Sequence, residues 1–184
     1  MRTGTTVFLL LAPLILAIAP AEAQQKGGFG GFGSVFPLWS LRDLNPIYDG
    51  QPVVFFSQGA FFLNGFYFGG GSGSATFYGK SRTVDRADFR YGGFIAGYRH
   101  RISSIFRLAG QVMVGGGKLR IESGRLIEFD EGFFSVVPEL SLGVSPSRWL
   151  LLEARMGYFE ALGSQAVRPL RKPQLGLFIM LGTN

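Results

Sequence analysis

The chain of 184 residues contains no cysteine and a single histidine, His100. The missing cysteines exclude disulfides and thiol catalysis, and one histidine cannot supply a zinc or haem ligand cluster, so we expect no metal and no cofactor. Charged residues make up only 16% of the chain. The chain is instead rich in glycine (28) and phenylalanine (19). Abundant aromatics and glycines without long helix-forming runs favour an all-β fold.

Residues 1–23 have the three parts of a cleavable export signal. Arg2 supplies the positive start, 7–19 is an apolar stretch, and Ala21-Glu22-Ala23 is a small-x-small cleavage site. The apolar stretch of about 13 residues is too short to span a bilayer comfortably, and no later stretch reaches the roughly 20 residues that a spanning helix needs. We therefore predict a signal peptide over 1–23 and one exported domain over 24–184.

Eight strand-like runs fill the exported part, joined by gaps that alternate long and short. The short gaps are Asn64-Gly65, Ser103-Ser104 and 145–148, and the long ones are centred on 37–51, 79–88, 122–131 and 160–172. Asn-Gly favours a type I′ hairpin turn, and Ser40 to Asp43 can cap one short helical turn. The predicted strands are 28–36, 52–63, 66–78, 89–102, 105–121, 133–144, 149–159 and 173–182. This is the layout of a membrane barrel with tight turns at one end and long loops at the other.

Alternation of apolar and polar or small residues is clean in the fifth to eighth predicted strands. In the sixth, for example, Phe134, Leu140 and Leu142 share one face, while Glu139 and Ser141 share the other. Lipid outside and a packed polar lumen inside require this pattern. Strands two to four carry phenylalanine on both faces, so their lipid-facing side stays open. Whether 28–36 is the first strand or a glycine-rich leader also stays open.

The export signal, the hairpin meander, 133–145, 149–158 and the final strand together resemble the small eight-stranded outer-membrane barrels of the OmpA-like superfamily. The resemblance implies an antiparallel up-and-down transmembrane barrel in the cell outer membrane, inserted by the barrel insertion machinery, monomeric and non-enzymatic. With the first strand rising from the periplasm, the four long gaps face outward and the short turns face the periplasm. We expect a structural or surface-interaction role in contact with outer-membrane lipids, including lipopolysaccharide, and no nucleic-acid partner.

Two other functions remain open on the sequence. His100 lies near Ser103 and Ser104, which invites a lipid hydrolase, but the spacing and the short turn fit poorly, and a histidine filling the lower end of the barrel is the simpler interpretation. A soluble, exported, lipocalin-like protein that binds an apolar ligand would show the same strand period. Strand length and meander connectivity favour the membrane barrel.

Polar side chains on the inward faces should meet in the lumen, since an eight-stranded barrel is only wide enough to be filled by side chains. Buried charges persist only when they are paired. The register across the 145–148 turn leaves Glu139 opposite Arg155 or opposite Glu153, and like charges repel, so we predict Glu139 opposite Arg155. The predicted lumen network consists of Arg107, Gln111, Glu139, Glu153, Arg155 and Gln174.

The net charge of +6 does not come from the long gaps, in which acidic residues slightly outnumber basic ones. The surplus lies in strands and turns, where lysine and arginine can extend to lipid phosphates. Lys118 and Arg120 continue the outward face of the fifth strand beyond Val114. Twelve tilted residues climb roughly 30 Å and the apolar band is about 25 Å tall, so both side chains should emerge just above it. We predict a lipid-phosphate site at Lys118 and Arg120.

Overall fold

The computed structural model describes residues 26–43, 51–78, 85–123 and 126–182. The predicted signal peptide and its boundary at residue 24 lie outside the described residues. No helix in the described ranges is long and apolar enough to cross a bilayer. The strands are β1 (Lys26–Pro37), β2 (Val54–Leu63), β3 (Phe66–Tyr78), β4 (Arg86–Arg101), β5 (Phe106–Ser123), β6 (Leu126–Ser147), β7 (Leu150–Leu162) and β8 (Lys172–Gly182).

The eight strands form one closed antiparallel barrel in which each strand pairs with its sequence neighbours. β1 pairs with β2 on one side and with β8 on the other, so the glycine-rich segment is a full strand that closes the barrel. The predicted fold class is therefore confirmed. Below, "long-loop end" means the end with the β1–β2, β3–β4, β5–β6 and β7–β8 connections, and "short-turn end" means the end with the turns at 64–65, 102–105 and 148–149.

Odd-numbered residues face the lumen and even-numbered ones face outward in every strand except β2 and β8, where the parity is reversed. The predicted faces of β5 to β8 are confirmed, and the side left open in β2 to β4 is now defined. In β2, Phe55 is 70% exposed and Phe56 only 6%. In β4, Phe94 is 60% exposed and Phe89 1%. Aromatics occur on both faces because the outer wall and the lumen are both apolar in this part of the barrel.

Two turn predictions are confirmed. Asn64 and Gly65 both have positive φ, 52° and 82°, as a type I′ turn requires. At Leu41–Asp43 the chain makes one 3₁₀ turn. The Ser40 amide donates to Asp43 Oδ2 at 2.9 Å, and Ser40 Oγ accepts from the Arg42 amide at 3.2 Å. The serine and the aspartate thus cap this turn reciprocally.

The long gap predicted at 122–131 is wrong. β5 continues to Ser123 and β6 begins at Leu126, with a register shift at Ile121 and Glu122. Pairing of β6 with β7 starts only at Phe134, so the first residues of β6 pair with β5 alone. Charged residues such as Asp130 and Glu131 suggest a loop, but this part of β6 extends beyond its pairing with β7, and Asp130 is exposed there.

Candidate functional site

The lumen is filled in two layers that follow from the inward sequence of each strand. Towards the long-loop end, aromatic rings pack against each other, with Phe89 5.9 Å from Phe133 and 5.8 Å from Phe159 between ring centroids. Trp39, in the connection after β1, is 1% exposed and meets Phe89 edge-on at 5.9 Å. Towards the short-turn end the lumen is polar. The barrel is thus closed at one end by aromatic packing and filled at the other by charged groups.

Glu153 is the centre of the polar layer. Arg99 Nη2 donates to Glu153 Oε1 at 2.8 Å. Arg155 Nη2 and Nε donate to Glu153 Oε2 at 2.5 Å and 3.0 Å. All three side chains are almost fully buried, at 6%, 2% and 2% exposure for Arg99, Glu153 and Arg155. One carboxylate therefore holds two buried guanidinium groups that come from β4 and β7.

A second carboxylate, Glu139, lies beside this pair. Its Oε1 accepts from Gln174 Nε2 at 2.9 Å, and its Oε2 accepts from Gln111 Nε2. Arg155 Nη1 lies 3.7 Å from Glu139 Oε2. Tyr67 donates its hydroxyl proton to Gln111 Oε1 at 3.0 Å, which extends the network to β3. Two arginines and two glutamates make the layer neutral, and its amides link the charges around the barrel.

Aromatic faces complete the surroundings of both guanidinium groups. The Arg155 guanidinium lies 3.9 Å from the centroid of Phe178, and that of Arg99 lies 4.8 Å and 4.7 Å from the centroids of Phe29 and Phe62. Such cation–π contacts are strongest when the charge is removed from water. Arg155 Nη1 also donates to Gln58 Oε1 at 2.6 Å. The geometry is that of a structural core with every charge held in place.

The structure brings five of the six predicted lumen residues together: Gln111, Glu139, Glu153, Arg155 and Gln174. Arg107 does not join them. Its Nη1 donates to the carbonyl oxygens of Ser103 and Ser104, at 2.9 Å and 3.3 Å, in the turn at the short-turn end. Its place is the rim, because it is the first inward residue of β5.

Sequence reasoning missed Gln58, Tyr67 and Arg99. All three lie on β2 to β4, whose inward face could not be assigned from the alternation. Arg99 belongs to the basic residues of strands and turns that, on the sequence alone, could equally extend to lipid phosphates. Its odd position in β4, on the same face as Tyr91 and Ile95, was the available signal.

The predicted pairing of Glu139 with Arg155 is wrong in register. Glu139 faces Gly157, and Arg155 faces Ser141. β6 runs on to Ser147 with a register shift after Val144, and only Arg148 and Trp149 form the turn. The strands are therefore displaced by two residues from the expected pairing. The nearest carboxylate to Arg155 is Glu153 on its own strand, reached because both side chains point into the same narrow lumen.

The lumen leaves no room for a ligand where the two layers meet. An internal cavity of about 10 Å³ lies there, lined by residues that include Phe56, Tyr91 and Glu139. This is about the smallest cavity that can hold one water molecule. A small-molecule site would need a few hundred cubic ångströms.

Lys118 and Arg120 lie on the outward face of β5, near the long-loop end. Lys118 Nζ is 2.8 Å from Asp130 Oδ1, and Arg120 Nη2 is 2.5 Å from Glu122 Oε1. Across the β4–β5 ladder, Arg90 stands opposite Lys118 and Asp88 opposite Arg120. A surface depression of about 190 Å³ lies between these four side chains. The structure thus places both residues in a mixed-charge patch.

The sequence suggested that His100 fills the lower end of the barrel, and this expectation is wrong. His100 has the outward parity of β4, opposite Leu108 of β5. Ser103 Oγ accepts hydrogen bonds from the amides of Ile105 and Phe106, at 3.3 Å and 3.1 Å, and so caps its own turn. Within the described ranges, no group of three or more His, Asp or Glu side chains could hold a metal ion.

No protein-family model matches the chain, and no curated protein matches it. Among solved structures it is similar to Ail, the attachment invasion locus protein of Yersinia pestis, at 17% identity and a TM-score of 0.56 over 88% of this chain and 98% of Ail. It is also similar to neisserial surface protein A at 10% identity and a TM-score of 0.60, over 88% of this chain and 99% of that protein.

A third similar structure is the N-terminal β-barrel domain of OprF from Pseudomonas aeruginosa, at 8% identity and a TM-score of 0.57, over 88% of this chain and 99% of the domain. These neighbours are outer-membrane barrels. At such identities the similarity concerns the fold, and it agrees with the resemblance drawn from the sequence. The chain has the fold of the small eight-stranded outer-membrane β-barrels.

Proposed function

We propose that the chain is a non-enzymatic outer-membrane barrel protein with a structural and surface role that includes binding of lipid phosphate. The observation that carries the proposal is the distribution of polarity, which is the reverse of that in a water-soluble barrel: the outer wall is apolar and the lumen holds buried charges. Phe61, Phe55 and Leu177 are 79%, 70% and 61% exposed. Exposed apolar surface of this extent is what a lipid-embedded wall presents, and it would be a liability in water.

The filled lumen separates this proposal from the lipocalin-like alternative. A soluble ligand carrier needs an interior cavity, whereas the polar layer around Glu153 and the aromatic layer around Phe89 fill this barrel. The same filling argues against an open pore. The enzyme alternative has no support from His100 and Ser103, because Ser103 is engaged in its turn.

The proposal places the long-loop end outside the cell and the short-turn end in the periplasm, with export through the 1–23 signal. We expect the protein to sediment with outer membranes and to resist alkaline extraction. Because the chain has no cysteine, two single variants can report topology. Arg168→Cys, exposed at the long-loop end, should react with a membrane-impermeant thiol reagent in intact cells, whereas Arg148→Cys, in a short turn, should react only after lysis. Labelling of position 148 in intact cells would contradict the orientation.

Lys118 and Arg120 are the proposed lipid-phosphate residues. Both project outward above the apolar part of β5, at the level where headgroup phosphates of the outer leaflet are expected, and arginine can bind phosphate through a bidentate fork. Their ion pairs with Asp130 and Glu122 are exposed, with 58% and 42% of the lysine and arginine side chains accessible. Exposed pairs of this kind contribute about 0–1 kcal/mol, so a phosphate can compete for the cations.

Neutralising both residues (Lys118→Gln, Arg120→Gln) should lower the amount of lipopolysaccharide that co-purifies with the folded barrel, because two positive charges are lost at the headgroup level. The matched control is Arg168→Gln with Lys172→Gln, which removes two exposed charges elsewhere at the long-loop end. Lipid phosphate per protein is measured after confirming the heat-modifiable mobility of a folded barrel. Equal lipid retention in both double variants would remove Lys118 and Arg120 from the site.

A further inference from the structure

A groove crosses the outer wall of the barrel along one row of hydrogen-bonded partners in β2 to β5. Ser57 pairs with Ser72, Ser72 with Gly92, and Gly92 with Gly116. All four positions face outward, so the row presents no side chain larger than a serine to the exterior. At the two ends of the same row, Phe32 of β1 and Phe134 of β6 are 60% and 47% exposed.

This row is the floor of a depression of about 770 Å³. Three interstrand spacings of about 4.8 Å make the floor roughly 14 Å long. Phe32 stands at one end of the floor and Phe55 on its border towards the long-loop end, so the walls near β1 and β2 are aromatic. A lipid-facing wall normally carries large apolar side chains, as the rest of this barrel does. Here four consecutive strands leave them out along one row of partners.

The border towards the long-loop end also carries two cations. In the next row of partners, Ser74 pairs with Arg90, and Arg90 with Lys118. Arg90 and Lys118 both line the groove. Like charges directly opposite each other on one face of a sheet repel. Lys118 has Asp130 at 2.8 Å, but no carboxylate among the described residues forms an ion pair with Arg90. An anion between the two cations would relieve this repulsion.

We infer that this groove binds one acylated, phosphate-bearing lipid, the lipid A part of lipopolysaccharide, with an acyl chain on the Ser57–Gly116 floor and a phosphate between Arg90 and Lys118. The inference rests on the proposed function for the placement of the long-loop end in the outer leaflet. It also refines that function, because it places the centre of the phosphate site at Arg90. Arg120 is the less suitable centre, since its charge is paired with Glu122 at 2.5 Å.

The shape and charge of the groove favour a lipid over a second copy of the chain. A second barrel would present a convex apolar wall, which meets the rims formed by Phe32 and Phe55 before it reaches the floor, and it would leave the Arg90–Lys118 pair without an anion. A hydrocarbon chain is narrow and flexible enough to follow the floor, and its covalently attached phosphate places the negative charge at the bordering cations.

Filling the floor tests the acyl-chain part. Ser57 and Ser72 are exposed and outward-facing, so Ser57→Leu with Ser72→Leu adds two apolar side chains into the groove without touching the lumen. Ala154→Leu, on the outward face of β7, adds the same kind of side chain to the wall away from the groove and is the control. Arg90→Gln tests the phosphate part, with Arg168→Gln as its control.

The readout is native mass spectrometry of the full exported chain in detergent, titrated with lipid A, with the deacylated bisphosphorylated disaccharide, and with a zwitterionic phospholipid. We expect the two leucines to weaken lipid A binding about tenfold and to leave binding of the deacylated disaccharide unchanged. Arg90→Gln should weaken both, and neither control should differ from the unmodified chain. The zwitterionic lipid should bind more weakly throughout.

Each alternative outcome would contradict a different part of the inference. Unchanged lipid A binding in the leucine variant, together with a loss in Arg90→Gln, would overturn the groove and leave the phosphate site of the proposed function in place. Absence of lipid A binding by the unmodified chain would overturn both. Barrel dimers that disappear in the leucine variant would replace the lipid with a second copy of the chain as the occupant.

Discussion

Replacing Glu153 with glutamine is expected to lower the free energy of unfolding of the barrel by about 3–5 kcal/mol, the usual effect of removing one partner from a buried charge pair. Glu153 receives hydrogen bonds from Arg99 at 2.8 Å and from Arg155 at 2.5 Å, inside a wall that excludes water. Glutamine keeps an acceptor but removes the charge. Arg155 is then left with Glu139 at 3.7 Å, and Arg99 loses the carboxylate that it shares with Arg155.

The effect is measured by urea unfolding of the barrel in lipid vesicles. The matched control is Glu160→Gln, which breaks the Arg171–Glu160 pair at 3.0 Å, whose side chains are each 33% exposed, and which should cost less than about 1 kcal/mol. Adding Arg99→Met to Glu153→Gln should recover part of the loss, since one stranded cation is removed. If Glu153→Gln were as mild as the control, or if the two changes in the double variant were additive, Glu153 would not be the centre of the network.

The sequence predicted the fold through signals that depend on single strands. Alternation assigned the faces of β5 to β8, and the Asn64-Gly65 dipeptide fixed a turn, because both depend on local geometry. The length of β6 could not be predicted in this way. Its first residues, including Asp130 and Glu131, carry charges that are typical of loops, and they become strand only because β5 extends beside them.

The polar layer was harder to predict than the strands that carry it. Glu139 and Arg155 were identified from the inward face of their strands, but their relative height depends on the register shift after Val144, which no sequence pattern marks. Arg99 was missed for another reason. β4 has glycines and aromatics on both faces, so a cation near its end could equally face lipid or lumen, and only closure of the barrel decides between them.

The outer groove was missed because it belongs to no single strand. Each of the small residues Ser57, Ser72, Gly92 and Gly116 is unremarkable where it stands in the sequence. Their alignment follows from the registers of three separate hairpins. Glycines on the lumen face of these strands have a different role, which is to let neighbouring strands approach closely.

Gly69 faces the lumen and Gly70 faces outward, and substitution by alanine should affect them very differently. A Cβ added to Gly69 would lie 1.9 Å from the carbonyl oxygen of Gly59 and 2.6 Å from the Cα of Ala60, its partner on β2. Both are backbone atoms held by the β2–β3 ladder, so the strands would have to separate. A Cβ on Gly70 would have its nearest atom, the carbonyl oxygen of Gly93, at 3.4 Å, which is close to ordinary contact.

We therefore expect Gly69→Ala to cost at least the upper part of the about 1–3 kcal/mol typical of overpacking, and to reduce the fraction of protein with the mobility of a folded barrel. Gly70→Ala should be neutral, or stabilising by up to about 1 kcal/mol, because alanine restricts the unfolded chain. Urea unfolding and unheated gel mobility of both variants give the comparison within one strand. Equal losses of unfolding free energy at the two positions would contradict this prediction. They would mean that the loss of glycine flexibility in β3 destabilises the barrel, and that the close approach of β2 and β3 at Gly69 does not.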